Sequence, residues 1–180
     1  MSAPTTEIPG YVAGTWKLDG AHSDVTFVVR HLGVSKVRGR FDQVETTIVT
    51  AENVLDSTVT TTIHATSVDT NNEQRDGHVR SADFLDAENF PTITFTSTGV
   101  RADDGDFFID GDLTLHGVTR PVTLAAELGG FGDSPNGKVL GVSASTEINR
   151  GDFAVGAGVP GAVVSDKIKI ELDIEAGLQD

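Results

Sequence analysis

From Tyr11 onward the chain alternates apolar and polar positions with a period of two, and Gly and Asp-Gly turns punctuate the runs. Alternation of this kind marks strands that bury one face. Trp16 to Leu18 read as a first short strand. Next, Val25, Phe27 and Val29 share a face opposite Thr26, Val28 and Arg30. Val37, Gly39 and Phe41 alternate with Arg38, Arg40 and Asp42, and Val44, Thr46 and Ile48 carry the same face on, as one long bent strand or two short ones. Val59, Thr61, Ile63 and Ala65 oppose Thr58, Thr60, Thr62 and His64, a strand with one wet face. Ile93 and Phe95 begin a further strand, and the Asp-Gly turn after Ala102 leads to Phe107, Ile109, Gly111, Leu113 and Leu115. Past His116-Gly117 come Val122, Leu124, Ala126 and Leu128. Gly129 to Lys138 reads as a Gly, Ser, Pro and Asn loop, Val139 to Asn149 as a strand, and Arg150 to Ser165 as an ordered glycine-rich loop beside an opening. The last strand alternates most cleanly, with Ile168, Ile170, Leu172 and Ile174 against Lys167, Lys169, Glu171 and Asp173.

The pattern therefore predicts eight or nine antiparallel strands in an all-β domain over residues 13–178, after a loose arm over residues 1–12. One stretch breaks the period. Residues 72–88 read as a short helical segment, polar in its first half and carrying Phe84, Leu85 and Phe90 beyond it. A cap across the mouth of a sheet or barrel would have that division, with Ser81 as the expected helix N-cap before Ala82. About eight strands closing on themselves leave an interior that side chains fill or that holds one small ligand. Gly39, Gly111, Ala65, Ala126 and Ser143 fall in the inward pattern. They either leave room for a ligand or mark bends where strands curl.

Charge narrows the partners. Thirteen Lys and Arg against 27 Asp and Glu give a formal net charge of −14. Such a surface repels nucleic-acid backbones and anionic lipid headgroups, so neither nucleic-acid binding nor membrane insertion is expected. No apolar run is long enough to span a bilayer as a helix. Cysteine is absent, which excludes disulfides and thiolate metal sites. The opening MSAPTTEIPGYVAG has no basic stretch followed by an apolar one, and the expectation is a cytoplasmic chain.

No Walker loop, zinc-helix motif or nucleophile elbow is present. The histidines, His22, His31, His64, His78 and His116, are scattered, and no metal or catalytic residue is expected from them. His22, Ser23 and Asp24 have the residue types of a triad, but neighbours on a strand point to opposite faces. The densest polar cluster is Arg75, Asp76, His78, Arg80 and Asp83. It has two readings: a site for a phosphate or carboxylate headgroup, or a salt-bridge network that fixes the cap. Arg30 and Arg150 are expected to be solvated or paired.

Four stretches together resemble the YceI family of polyisoprenoid- or lipid-binding proteins. They are DGAHSDVTFVVRHLGVSKVRGRF, SVDTNNEQRDGHVRSADFLDAENFPTITFTSTGV, DGDLTLHGVTRPVTLAAEL and INRGDFAVGAGVPGAVVSDKIKIELDIEA. The resemblance implies a lipocalin-like, extended eight-stranded antiparallel β-barrel that holds a long apolar ligand. Such a ligand would be an isoprenoid chain, as in a polyprenyl phosphate or quinone, or a fatty-acid derivative. It implies binding, transport or storage rather than catalysis, no cofactor beyond the lipid itself, and a homodimer in some members. On that reading Phe27, Val29, Phe41 and Ile63 line the tunnel. Ile93, Phe95, Phe107 and Ile109 continue it, and Phe84 and Phe90 plug it from the cap. His31, Arg75, His78 and Arg80 stand at the head end. Two rivals remain: a small enzyme acting on such a lipid with His31 or His78 as general base, and a stress-related interaction module with a packed core.

Overall fold

The computed structural model describes residues 8–103 and 106–179. Its strands are β1 (Gly14–Leu18), β2 (Asp24–His31), β3 (Ser35–Phe41), β4 (Val44–Thr50), β5 (Thr58–His64), β6 (Val68–Asp69), β7 (Thr92–Asp103), β8 (Asp106–Leu115), β9 (Val118–Ser134), β10 (Gly137–Asn149) and β11 (Lys167–Leu178). One helix, α1 (Glu73–Arg80), lies between β6 and β7. Pairing runs β1-β4-β5-β7-β8-β9-β10-β11, and β1 pairs with β11 to close the ring, all antiparallel. The chain is thus a closed eight-stranded antiparallel β-barrel with one short helix, the expected fold.

Eleven strands make eight because three staves are broken. β2 continues the line of β1 past a 3-10 turn at Gly20–His22, and both pair with β11. β4 continues β3 after Asp42-Gln43, and β6 continues β5 past a second 3-10 turn at Ala65–Ser67. β3 is therefore paired by β6 only at Arg40 and Phe41. The β2–β3 hairpin stands out beyond its neighbours, and α1 occupies the region next to it. The alternation explains why the ring closes: β4 buries Thr46, Ile48 and Thr50 while Glu45 and Val49 face out, and in β11 every odd position from Lys167 to Asp173 is exposed. Cross-strand pairs of these inward side chains hold adjacent staves in register.

Two expectations change. Gly129–Lys138 is mostly strand, since β9 runs to Ser134 and only Pro135 and Asn136 turn. Glycine reads as a loop signal, but here it serves a bulge. The β9–β10 register shifts at Gly141/Val142, and a Cβ on Gly129 would lie 3.2 Å from the Gly141 carbonyl oxygen. Nor do the small inward residues simply leave space. A Cβ on Gly39 would come 2.2 Å from the Phe27 ring, and one on Gly111 2.4 Å from the Phe95 ring. These glycines accept phenyl rings folded flat against the wall. Ser143 faces outward and donates to Asp173 at 3.2 Å.

The interior divides into two apolar clusters. One holds Trp16, Ile48, Leu140, Ile174 and Ala176. Trp16 is fully buried, and its indole N–H donates to the Thr50 hydroxyl at 2.8 Å. Phe131 sets an edge against Trp16 at 5.4 Å and against Tyr11 at 5.3 Å, so Tyr11, at the end of the expected arm, is tied to the barrel. The larger cluster runs from Phe95, Ile109 and Leu124 up to Leu85, Phe153 and Val155 beneath α1 and the Arg150–Asp166 loop.

Candidate functional site

Between these clusters a cavity of about 610 Å³ follows the barrel axis. It extends from Tyr11, Phe131 and Leu140 at the Trp16 end to the segments that cover the other end. Its wall is aliphatic and aromatic, with scattered threonine hydroxyls such as the bonded pair Thr46–Thr61, whose oxygens are 3.1 Å apart. The barrel is therefore hollow, and the packed-core expectation does not hold.

The cover has two parts, and both are fastened by polar groups. In the first, Asn72 caps α1 by accepting from the Arg75 amide at 3.0 Å, while Ser81 stands at the C-terminal end. Ser81 is thus not the N-cap: the capping residue, Asn72, lies nine positions earlier. An eight-residue helix with a central glycine is marginal alone. Its anchor is Thr70. The buried Asp76 carboxylate accepts from the Thr70 amide at 2.7 Å and from its hydroxyl, while Arg75 donates to the Thr70 hydroxyl at 2.8 Å and carbonyl at 2.6 Å. Burial pushes the Asp76 carboxyl up, but the Thr70 bonds and the nearby Arg80 and Arg75 charges outweigh it and hold it below the usual carboxylate range. Phe84, Leu85 and Val79 then reach down into the cavity wall.

The second part is the Arg150–Asp166 loop. Arg150 is 3% exposed, and its guanidinium donates to five backbone carbonyls: Val155 at 3.0 Å, Gly156 at 2.6 Å, Val159 at 2.7 Å, Val164 at 3.0 Å and Ser165 at 3.1 Å. Asp166 adds a carboxylate at 3.6 Å. A buried guanidinium is tolerated only when its donors are satisfied, and here those bonds dictate the path of the loop. The expectation of a merely solvated or paired arginine missed this role. The five carbonyls lie 5 to 15 positions away in sequence and leave no residue-type signal.

Eight of the ten tunnel candidates from the barrel wall and one from the cap, namely Phe27, Val29, Phe41, Ile63, Ile93, Phe95, Phe107 and Ile109 with Phe84, line the cavity. Phe90 does not. It leaves the cap segment on the outer side, packs on His116 at 4.8 Å and lies over Gly117. Of the head-end candidates, His31, Arg75 and His78 line the cavity and Arg80 does not. The Asp83 carboxylate accepts a hydrogen bond from His78 Nε2 at 3.0 Å, and the His78 ring stands against Phe84 at 5.0 Å. Arg30 and Arg150 join the lining at the covered end. No aspartate or glutamate lines the cavity among the described residues.

Far from this end, His22 sits between Asp19 at 2.8 Å and Glu175 at 3.2 Å, where the stave breaks between β1 and β2. Their ligand atoms lie within 4.8 Å of one another, all near the surface. Hydrogen bonding from Asp19 and the Glu175 charge raise the His22 pKa, and the same contact lowers that of Asp19. Ser23 bonds the Glu175 backbone, so no His-Ser-Asp unit forms.

A closed barrel with an apolar axial cavity, covered at one end by a helix and a pinned loop, is the architecture of the lipocalin-like ligand-holding barrels. The profile of the YceI-like domain family matches residues 16–176, and the chain belongs to that family. It is 47% identical over 148 residues to Protein YceI of Escherichia coli, covering 80% of this chain and 78% of that one. The crystal structure of the Campylobacter jejuni YCEI protein superposes with a TM-score of 0.76 at 30% identity, over 84% of this chain and 90% of the other. A polyisoprenoid binding domain from Saccharophagus degradans, implicated in plant cell wall breakdown, shares the fold with a TM-score of 0.69 at 19% identity, over 93% and 100% of the two chains.

Proposed function

We propose that the chain holds one long apolar molecule of isoprenoid type along the barrel axis, with a polar or anionic head at the α1 end, and carries or stores it rather than transforming it. The observation that carries the reading is the division of the cavity lining. Its length is hydrocarbon-like, and among the described residues its only ionisable groups besides Tyr11 are Arg30, His31, Arg75, His78 and Arg150, all basic and none from the Trp16 end. Burial of a hydrocarbon chain is favourable by about 0.8 kcal/mol per CH2 and asks for no hydrogen bonds along its length. A charge-assisted bond at one end fixes direction. The polyisoprenoid binding domain that shares the fold supports the ligand class.

Native mass spectrometry of the purified protein, followed by organic extraction and identification of the released lipid, tests this. A stoichiometric isoprenoid bears the reading out. A cavity that stays empty when the protein is offered isoprenyl phosphates and alcohols of graded length defeats it. Within the site, Arg75→Ala is expected to weaken an isoprenyl phosphate far more than the alcohol of equal length, and Arg80→Ala to leave both unchanged.

A further inference from the structure

The acidic total of this chain hides a local reversal at the tip of the β2–β3 hairpin. Four large apolar side chains are exposed among the described residues, and three of them, Leu32, Val34 and Val163, meet there. Leu32 is 56% and Val34 81% exposed. Val163 belongs to the loop over the cavity, and the Leu32 amide donates to its carbonyl at 2.9 Å. Val163, Val164 and His31 are cavity-lining residues, so the tip stands at the rim of the covered end.

Behind the tip lies a basic face. Arg30 and Lys36 are direct cross-strand partners, and Arg38 follows on the same side. All three are exposed, and none forms an ion pair among the described residues. Like charges placed directly opposite destabilise a sheet. The carboxylate at the rim, Asp166, is 3.6 Å from Arg150. The acidic groups beside β2 and β3 are either paired or distant: Asp42 and Asp69 bond Arg40 at 2.8 and 3.1 Å, Glu171 bonds Lys169 at 3.2 Å, and Asp24 with its partner Asp173 sits at the other end of β2, about 20 Å from Arg30 at the rise of an extended strand. That exceeds the roughly 8 Å over which charge is felt at physiological salt. A surface meeting the tip therefore meets basic charge, not the total of −14.

Protection of a strand edge would account for Lys36 and Arg38. It does not account for the tip, because edge protection disfavours exposed Leu and Val. Leu32 also has φ 57 next to Gly33 at φ 68, a turn that prefers Asn, Asp or Gly. An apolar side chain kept at a strained, exposed position calls for something to touch. The Leu32 and Val34 amides are already bonded, to Val163 and His31, so the two residues that carry the apolar side chains bring no free amide into a low-dielectric layer.

We propose that the β2–β3 tip, with Val163 beside it, is a docking surface for an anionic lipid bilayer: Leu32 and Val34 enter the headgroup layer, and Lys36 and Arg38 meet its phosphates. Docking there presents the covered end of the cavity to the membrane. The surface stands on its own observations, and its test needs no cavity ligand.

Co-sedimentation with vesicles of equimolar phosphatidylcholine and phosphatidylglycerol, against phosphatidylcholine alone, tests it. The full chain is expected to bind the anionic vesicles and to release as salt rises. Leu32→Ser with Val34→Ser is expected to lower partition at least about tenfold, and Lys36→Glu with Arg38→Glu about twentyfold or more. These side chains are exposed, and unchanged circular dichroism checks the fold. The chain has no cysteine, so Val34→Cys and, at the opposite turn, Asn136→Cys each accept a single polarity-sensitive probe. Vesicles should shift emission to the blue at 34 and not at 136. Absence of partition, partition that both double variants retain, or equal shifts at the two probes would overturn the proposal.

Discussion

The two ends of the barrel are closed by different physics. At one, Trp16, Leu140 and Ala176 are essentially inaccessible, and the closure is side-chain packing. At the other, α1 and the Arg150–Asp166 loop are held by buried polar groups, Asp76 on Thr70 and Arg150 on five carbonyls. Packed apolar contacts are numerous and cooperative, so loss of one residue is felt throughout the domain. Polar pins concentrate on a few atoms, and a segment held that way can open as a unit while the barrel stays folded. On the proposed function, the pinned end is the one that opens to a ligand.

Substitutions should separate the two. The largest effect is expected from Trp16→Ala, about 3–5 kcal/mol lost, because a large cavity opens and Thr50 loses one of its two donors, the indole N–H, keeping the Gly14 amide. Denaturant unfolding should remain a single transition with a lower midpoint. Arg150→Ala comes next, at about 3 kcal/mol or more, because five carbonyls, two of them in buried bonds, lose their donor together. Hydrogen exchange should then rise in residues 150–166 well before β9 to β11 lose protection. Gly39→Ala is expected to cost about 1–3 kcal/mol through collision with the Phe27 ring, and to reduce the room in the cavity. If Trp16→Ala loosened only its own end, or Arg150→Ala unfolded the barrel as one unit, the contrast between packed and pinned closure would fail.

The smallest effect is electrostatic. His22 has a raised pKa, so its pairing with Asp19 and Glu175 contributes fully below the ordinary value of 6.5 and is lost as pH rises through the higher folded value. The native chain should lose slightly more stability than His22→Gln across that rise, measured by denaturant midpoint. On the wall, bonds from Arg101 and Thr123 hold Asp110 down to about 2, so what it contributes is lost only as pH falls from 3.8 toward that value. A carboxyl NMR titration reads this directly.

Most of the barrel was legible because alternation is local. Lys167 to Ile174 announce their faces without reference to any partner, and the same holds for Val25 to Val29. The breaks were harder. Gly129 and Gly130 look like loop residues, and only their approach to Gly141 makes them a bulge. Phe84 and Phe90 look alike six positions apart, yet one enters the cavity and the other covers His116, because the turns after α1 decide which way the chain faces. Arg75 and His78 were found by their density of charge, and Arg80, chosen on the same ground, falls outside the lining. Arg150 carried no local signal at all. Its partners are carbonyls, which every residue has, and only the folded loop gathers them.

The most direct test of the account is calorimetric titration with geranylgeranyl phosphate and geranylgeraniol, two ligands with one chain length and different heads. Both should bind, since the chain supplies most of the affinity, and the phosphate should bind at least about tenfold tighter, which is roughly 1.4 kcal/mol at the basic end. Equal affinities would contradict a basic head end, and binding of neither would contradict the barrel as an isoprenoid site.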